Sequence, residues 1–345
     1  MGSSASFVAR SSGFADRGAF GSAGDSERDS HGAVGRGAAF GVLEPFVSEG
    51  GVSDVFVNPD GTVWCDRGRG AERAEGIRIP AGEARDLAVR LIALGGRHVD
   101  EATPCVDVRL GGGARVHVVL PPVATGGAAI SIRVQRERPI GFDELVADSF
   151  FSVVPAERAL ELVQRRANLL ITGAGGSGKT TLLGALLATA PTGERIVVLE
   201  DVAELRISHP HVVALEARQP NLDGAGALGL DRLVREALRM RPDRLVVGEC
   251  RGAEVRELLA ALNTGHDGGA GTLHANSLAD VPARLEALGA LAGLSADALA
   301  RQAVSAFDAV LHVERTGSGR RLAALGRLGL DRRGRLTVVD AGQAA

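Results

Sequence analysis

Residues 171–183, ITGAGGSGKTTLL, constrain the fold more than any other stretch of this 345-residue chain. An apolar strand, NLLITG, enters a glycine-rich turn, and the turn leads straight into an apolar helix, TTLLGALLATA. Such a strand needs neighbours on both edges and such a helix needs a sheet face to cover, so the unit commits its surroundings to an α/β fold of alternating strands and helices. The second half of the chain agrees. RIVVLED, HVVALEA, RLVVGEC and GAGTLHA read as continuous apolar runs with amphipathic helices between several of them, the pattern of a largely parallel sheet buried on both faces.

The turn also carries chemistry. Gly173, Gly178, Lys179 and Thr180 satisfy G-x-x-x-x-G-K-[ST] between a strand and a helix, the context in which that spacing makes a phosphate cradle. Gly173, Ala174, Gly175, Gly176, Ser177, Gly178, Lys179, Thr180 and Thr181 are therefore expected to bind nucleotide, with backbone N–H groups turned inward and the helix offering its positive end. Among 39 Lys and Arg residues, Lys179 is the only lysine. A compact ammonium fits a loop that already encloses phosphate, whereas the planar fork of arginine does not replace it. Lys179 is expected on the β- and γ-phosphates and the Thr180 hydroxyl on Mg²⁺, so ATP and Mg²⁺ are the expected cofactors. The same count excludes an N-K-x-D guanine-reading motif, and there is no L-S-G-G-Q stretch.

Hydrolysis requires acids beside the phosphates. DRLVVGECRG ends an apolar strand in Glu249, the expected general base and a metal-shell acid. RIVVLEDVAEL ends in Glu200 and Asp201, with Glu204 three residues on; these could position metal or water, Asp201 as a metal-shell acid, or could be solvated loop acids. NTGHDGGAGTLHANS places His266 in a glycine-rich loop and His274 at the end of the next strand, both candidates for sensing the γ-phosphate.

Residues 1–36 are Ser, Gly, Ala and Arg with little aliphatic periodicity, and are expected to be disordered. Residues 37–138 predict a small α+β domain. VSDVFV and TVWCDR flank the turn NPDG as a hairpin, AGEARDLAVRLIALGG has helical spacing, and CVDVRL, ARVHVVLPP and AISIRVQ supply three more strands. Residues 139–146 are expected to link it to the α/β domain, 147–345.

Several function classes are disfavoured. A net charge of −3 gives no global basic field, and a chain with no tyrosine and one tryptophan has few platforms for stacking bases. No direct nucleic-acid binding is expected. There is no apolar run of membrane-spanning length and no apolar signal core near the start, so a cytoplasmic location is expected. Cys65, Cys105 and Cys250 are too widely spaced for a zinc motif or a disulfide framework.

GAGGSGKTT, LEDVAEL, LRMRPDRLVVGECRG and GHDGGAGTLHANS, in this order, resemble the phosphate loop, Asp box, Walker B strand and His box of the secretion ATPase superfamily, most closely its TadA/CpaF branch. VSDVFVNPDGTVW, DEATPCVDVRLGGGARVHVVLPP and SIRV resemble that branch's N-terminal domain. Ala270 departs from the pattern, because many relatives have Ser or Cys there. The resemblance implies a RecA-like P-loop domain preceded by the α+β domain, assembled as a homo-hexamer that hydrolyses ATP. Its partner would be an inner-membrane platform protein, with peripheral association at the cytoplasmic face of the membrane, to power Flp/Tad pilus assembly or type II/IV secretion. It also implies that Arg109, Arg115 and Arg133 clamp ATP, where the residues alone read as a solvated sheet face, and that Arg239 and Arg241 reach a neighbour's nucleotide. Two alternatives stand: a RecA-like conjugal DNA-transfer motor, and a nucleotide-gated scaffold without turnover.

Overall fold

The computed structural model describes residues 39–68, 70–134, 138–218, 226–317 and 319–341. The segment 1–36, read above as a tail, lies outside the described residues. The chain divides into two compact units, Met1–Val134 and Gln135–Ala345.

In the first unit, β1 (Asp54–Val57), β2 (Thr62–Asp66), β3 (Ala71–Arg78), β4 (Cys105–Arg109), β5 (Arg115–Val119) and β6 (Ala129–Arg133) form one antiparallel sheet in the order β3-β2-β1-β6-β5-β4. A short helix, α1 (Glu44–Val47), precedes it, and α2 (Ala81–Leu94) covers one face. The two-residue period of the strands turns Val55, Val57, Val106, Val108, Val116, Val118, Ile130 and Ile132 inward, where they meet Leu87, Ala88, Leu91 and Ile92 of α2 in one core. The alternate positions put Asp54, Asp107, Arg109, Arg115, His117, Ser131 and Arg133 on the opposite face, a largely polar one that also carries Phe56 and Trp64. Strand β3 departs from expectation: AERAEGIR has no apolar alternation and is mostly exposed, and backbone pairing to β2 from Thr62↔Arg78 to Asp66↔Ala71 holds it, with Ala74 and Ile77 packed against the core.

The second unit is built on eight strands in the order β14-β13-β12-β7-β11-β10-β8-β9. The expected parallel strands are β7 (Leu169–Gly173), β8 (Ile196–Glu200), β9 (Val212–Glu216), β10 (Arg244–Cys250) and β11 (Ala270–His274). To these the chain adds β12 (Ala309–Thr316), parallel to β7, and then β13 (Gly319–Leu330) and β14 (Leu336–Asp340), which turn back antiparallel. Leu169, Ile171, Val246 and Leu311 face a core shared with α3 (Phe142–Ala147), α4 (Ala156–Gln164) and α5 (Lys179–Leu187). Leu170, Val197, Leu199, Leu245 and Val310 face a second core with α6 (Leu230–Leu238), α7 (Glu254–Leu262), α8 (Val281–Leu291) and α9 (Ala296–Ala306). Burial on both faces explains why these strands read as unbroken apolar runs. Residues 139–146, read as a linker, hold most of α3 instead, because Phe142 and Leu145 are buried in the core of the second unit.

Candidate functional site

The C-terminal ends of β7, β10 and β11 lie side by side, since β7 pairs with β11 up to Gly173↔His274 and β11 pairs with β10. In open α/β sheets this edge is where ligands bind. Strand β7 enters the loop at Gly173, and α5 starts at Lys179 behind Gly178, whose φ of 105° and that of Gly176 at 68° lie in the left-handed region. Lys179 Nζ donates to the loop's own carbonyls, Gly173 O at 3.0 Å and Ala174 O at 2.9 Å. Ser177 N–H makes a long bond of 3.3 Å to Ala174 O, and Ser177 Oγ is buried with no hydrogen-bond partner. Burial lowers the Lys179 pKa, Glu249 raises it and Arg251 lowers it further. An ammonium held on two loop carbonyls, beside one long amide bond and one buried unpartnered hydroxyl, is a set of donors that an anion would complete. The half-buried Thr180 and Thr181 follow in the first turn of α5. The donor set therefore fits a nucleotide phosphate. No cluster of three or more His, Cys, Asp and Glu able to hold a metal occurs among the described residues.

Glu249 is aimed by an irregularity in the sheet. The β10–β11 register shifts between Val247 and Cys250, and such a bulge redirects the side chain beside it. Thr272 Oγ1 ties the distorted backbone down by donating to Gly248 O at 2.6 Å. Gly248 can be nothing larger, because a Cβ there would lie 2.5 Å from Cγ of Glu200. Arg251, which the sequence reading passed over, grips Glu249 Oε2 through Nε at 2.7 Å and Nη2 at 2.5 Å. Burial works against the Arg251 charge, but the Glu249 bond and the nearby carboxylates of Glu249, Asp201 and Glu204 raise its pKa above the ordinary value. Lys179, Glu249, Arg251, Asp201 and Glu204 thus form one charged neighbourhood.

Two candidate residues have other tasks. Glu200 is buried, and its Oε1 accepts the N–H groups of Leu205 at 2.9 Å and Glu204 at 3.2 Å; it shapes the 201–205 loop from below rather than facing water. His266 precedes β11, so in a parallel sheet it lies at the end opposite the phosphate loop, roughly five residues or about 16 Å along the strand. There its Nδ1 is 3.2 Å from Ala261 O in the last turn of α7. The structure does not bring His266 to the loop. His274, by contrast, ends β11 beside the loop: a Cβ on Gly175 would lie 3.6 Å from its Cε1. Arg239 is paired with Glu236 of α6 at 3.1 Å, and Arg241 adopts φ 54°.

In the first unit, Arg109, Arg115 and Arg133 share one row, since Arg109 pairs with Arg115 and Arg115 with Arg133. They occupy the polar face, with Arg115 Nε 3.4 Å from Asp107 Oδ1 and Arg133 Nε 3.3 Å from Asp54 Oδ1.

Further residues escaped the sequence reading. Arg320 of β13 donates from Nε to Gly176 O at 3.0 Å. His312, buried on β12, places Nδ1 2.9 Å from Thr172 Oγ1, one residue before the phosphate loop, and its Nε2 has no partner. Both were hidden by their setting, one among many surface arginines and the other inside the apolar run AVLHV.

Known proteins resemble this chain in sequence and fold. A putative conjugal transfer protein of Mycobacterium tuberculosis is 48% identical over 290 residues, covering 82% of each chain. The conjugal transfer protein TrbB of Rhizobium radiobacter is 33% identical over 276 residues, covering 79% of this chain and 82% of that protein. The solved structure of the pilus retraction motor PilT with bound ADP superposes with a TM-score of 0.56 at 21% identity, covering 87% of this chain and 80% of that one. The fold is accordingly the RecA-like P-loop fold with an N-terminal domain. Residues 38–313 match the family described as Type II/IV secretion system protein, and the chain belongs to that family.

Proposed function

We propose that this protein is a Mg²⁺-dependent ATPase that works as a homo-hexameric motor for a secretion or pilus machine. The observation that carries the reading is the meeting of Lys179, Glu249 and the arginine-held acidic cluster at the mouth of one phosphate loop. The loop amides and Lys179 bind and orient the phosphates. The Thr180 hydroxyl would hold Mg²⁺, with Asp201 and Glu249 as the acids of its shell, and the ion would supply neutralisation of phosphate charge. Arg251 fixes Glu249 through Oε2, which leaves Oε1 to accept a proton from the attacking water. His274 lies where it can register the departing γ-phosphate.

The arginine row of the first unit carries the second part of the proposal. Three guanidinium groups stand side by side on adjacent strands, and Arg115 and Arg133 also meet Asp107 and Asp54 across half-exposed ion pairs. We assign Arg109, Arg115 and Arg133 the role that the family resemblance implies, clamping the nucleotide through charge-assisted bonds.

Flp/Tad pilus assembly through an inner-membrane platform protein is our reading of the branch, with the protein cytoplasmic and peripheral at the membrane. No helix among the described residues is long and apolar enough to cross a membrane. A second reading, conjugal transfer, is favoured by the names of the relatives at 48% and 33% identity. Glu249→Gln should keep ATP affinity within a few-fold of the parent's and lower phosphate release at least about a hundredfold. Turnover within a few-fold of the parent would remove Glu249 as base, and an inactive parent would favour the scaffold.

A further inference from the structure

The phosphate loop is held from outside by a residue of the C-terminal hairpin. Strands β12 and β13 pair from Val310↔Gly326 out to Thr316↔Gly319, and Arg320 stands one residue inside that turn, opposite Arg315. Its exposed guanidinium crosses to the loop, where Nε donates to Gly176 O at 3.0 Å. The route passes over Gly178: a Cβ there would lie 3.1 Å from Cδ of Arg320 and 4.0 Å from Cε2 of Phe150. The hairpin end is itself tied down beside this point, since Leu322 N–H donates to Phe150 O at 2.8 Å.

A trans peptide is planar, with its C=O and the following N–H pointing in opposite directions. A donor that holds Gly176 C=O outward therefore aims Ser177 N–H inward, toward the centre of the cradle. That amide makes only a long bond within the loop, 3.3 Å to Ala174 O. With the loop read as a nucleotide cradle, we propose that Arg320 is a positioning residue that presets the Gly176–Ser177 peptide for phosphate, so that the β12–β13 hairpin contributes to nucleotide affinity without touching the base. Arg320 acts through the loop and is not a catalytic residue.

The test uses the full chain with Arg320→Ala and Arg320→Lys, titrated with ADP and separately with inorganic tripolyphosphate, and with thermal unfolding followed in parallel. Losing one charge-assisted bond at an exposed site should weaken both ligands by the same factor, on the order of tenfold. The unfolding midpoint should not move, and Lys should recover part of the loss by donating from Nζ. Three results overturn the proposal: unchanged affinities, a loss for ADP with none for tripolyphosphate, which would put Arg320 on the base or ribose, or a loss that follows unfolding in both variants. A parent that binds neither ligand would overturn the nucleotide reading as well, a failure distinct from the other three.

Discussion

The phosphate loop and the arginine row are both assigned to the same anion, but they are built in opposite ways. The loop is made of backbone. Its geometry is set within eight residues by glycines that reach positive φ and by a lysine that folds onto Gly173 O and Ala174 O. The row is made of side chains from three strands, and it exists only once Arg109, Arg115 and Arg133 are brought into register. A backbone site is preformed and holds its ligand largely by itself. A side-chain site whose arginines also meet Asp107 and Asp54 can exchange those partners for a ligand, so it suits a contact made and released in each cycle.

The largest expected effect lies on the loop side. Lys179→Ala should abolish nucleotide binding in a calorimetric titration, while circular dichroism and the unfolding midpoint stay at the parent's values. Nζ bonds only to the loop's carbonyls, and a loop-borne ligand adds little to either core. Tight ATP binding by this variant would erase the contrast, because the loop would then not be the phosphate site.

A smaller effect sharpens the same side. His312 lies under the last residues of β7, bonded to Thr172. Burial lowers its pKa, opposed by Glu314 and Asp280 and reinforced by Lys179. The unfolded chain therefore takes up a proton near the ordinary histidine value of about 6.5 while the native state does not, and stability falls as pH drops below that value. His312→Gln should flatten the denaturant midpoint against pH below about 6.5, removing a dependence of at most about 1.4 kcal/mol per pH unit. An unchanged slope would mean that His312 accepts its proton in the folded protein.

The same contrast explains what could be read in advance. The parallel strands and the loop were legible because continuous apolar runs and fixed glycine offsets are local signals. Strand β3 was not, since its mostly exposed residues follow no alternation and only Ala74 and Ile77 reach the core. Glu200 and Glu249 both end apolar strands, and only the bulge beside Gly248, with Glu200 packed across it, separates the buried brace from the acid beside Arg251. His266 and His274 share one glycine-rich segment, yet β11 runs between them and carries them to opposite ends of the sheet. Arg251, Arg320 and His312 act through tertiary contacts that no spacing announces.

The central claim is that the loop binds and the arginine row enables turnover. It is tested most directly in the full chain with Arg109, Arg115 and Arg133 all changed to alanine, by measuring ADP affinity and ATP turnover on the same preparation. The account predicts ADP affinity within a few-fold of the parent's and turnover lowered by about a hundredfold or more, the scale of removing charge stabilisation from a phosphoryl-transfer site. Full turnover in that variant would contradict it, and Arg109, Arg115 and Arg133 would then be no more than a solvated sheet face.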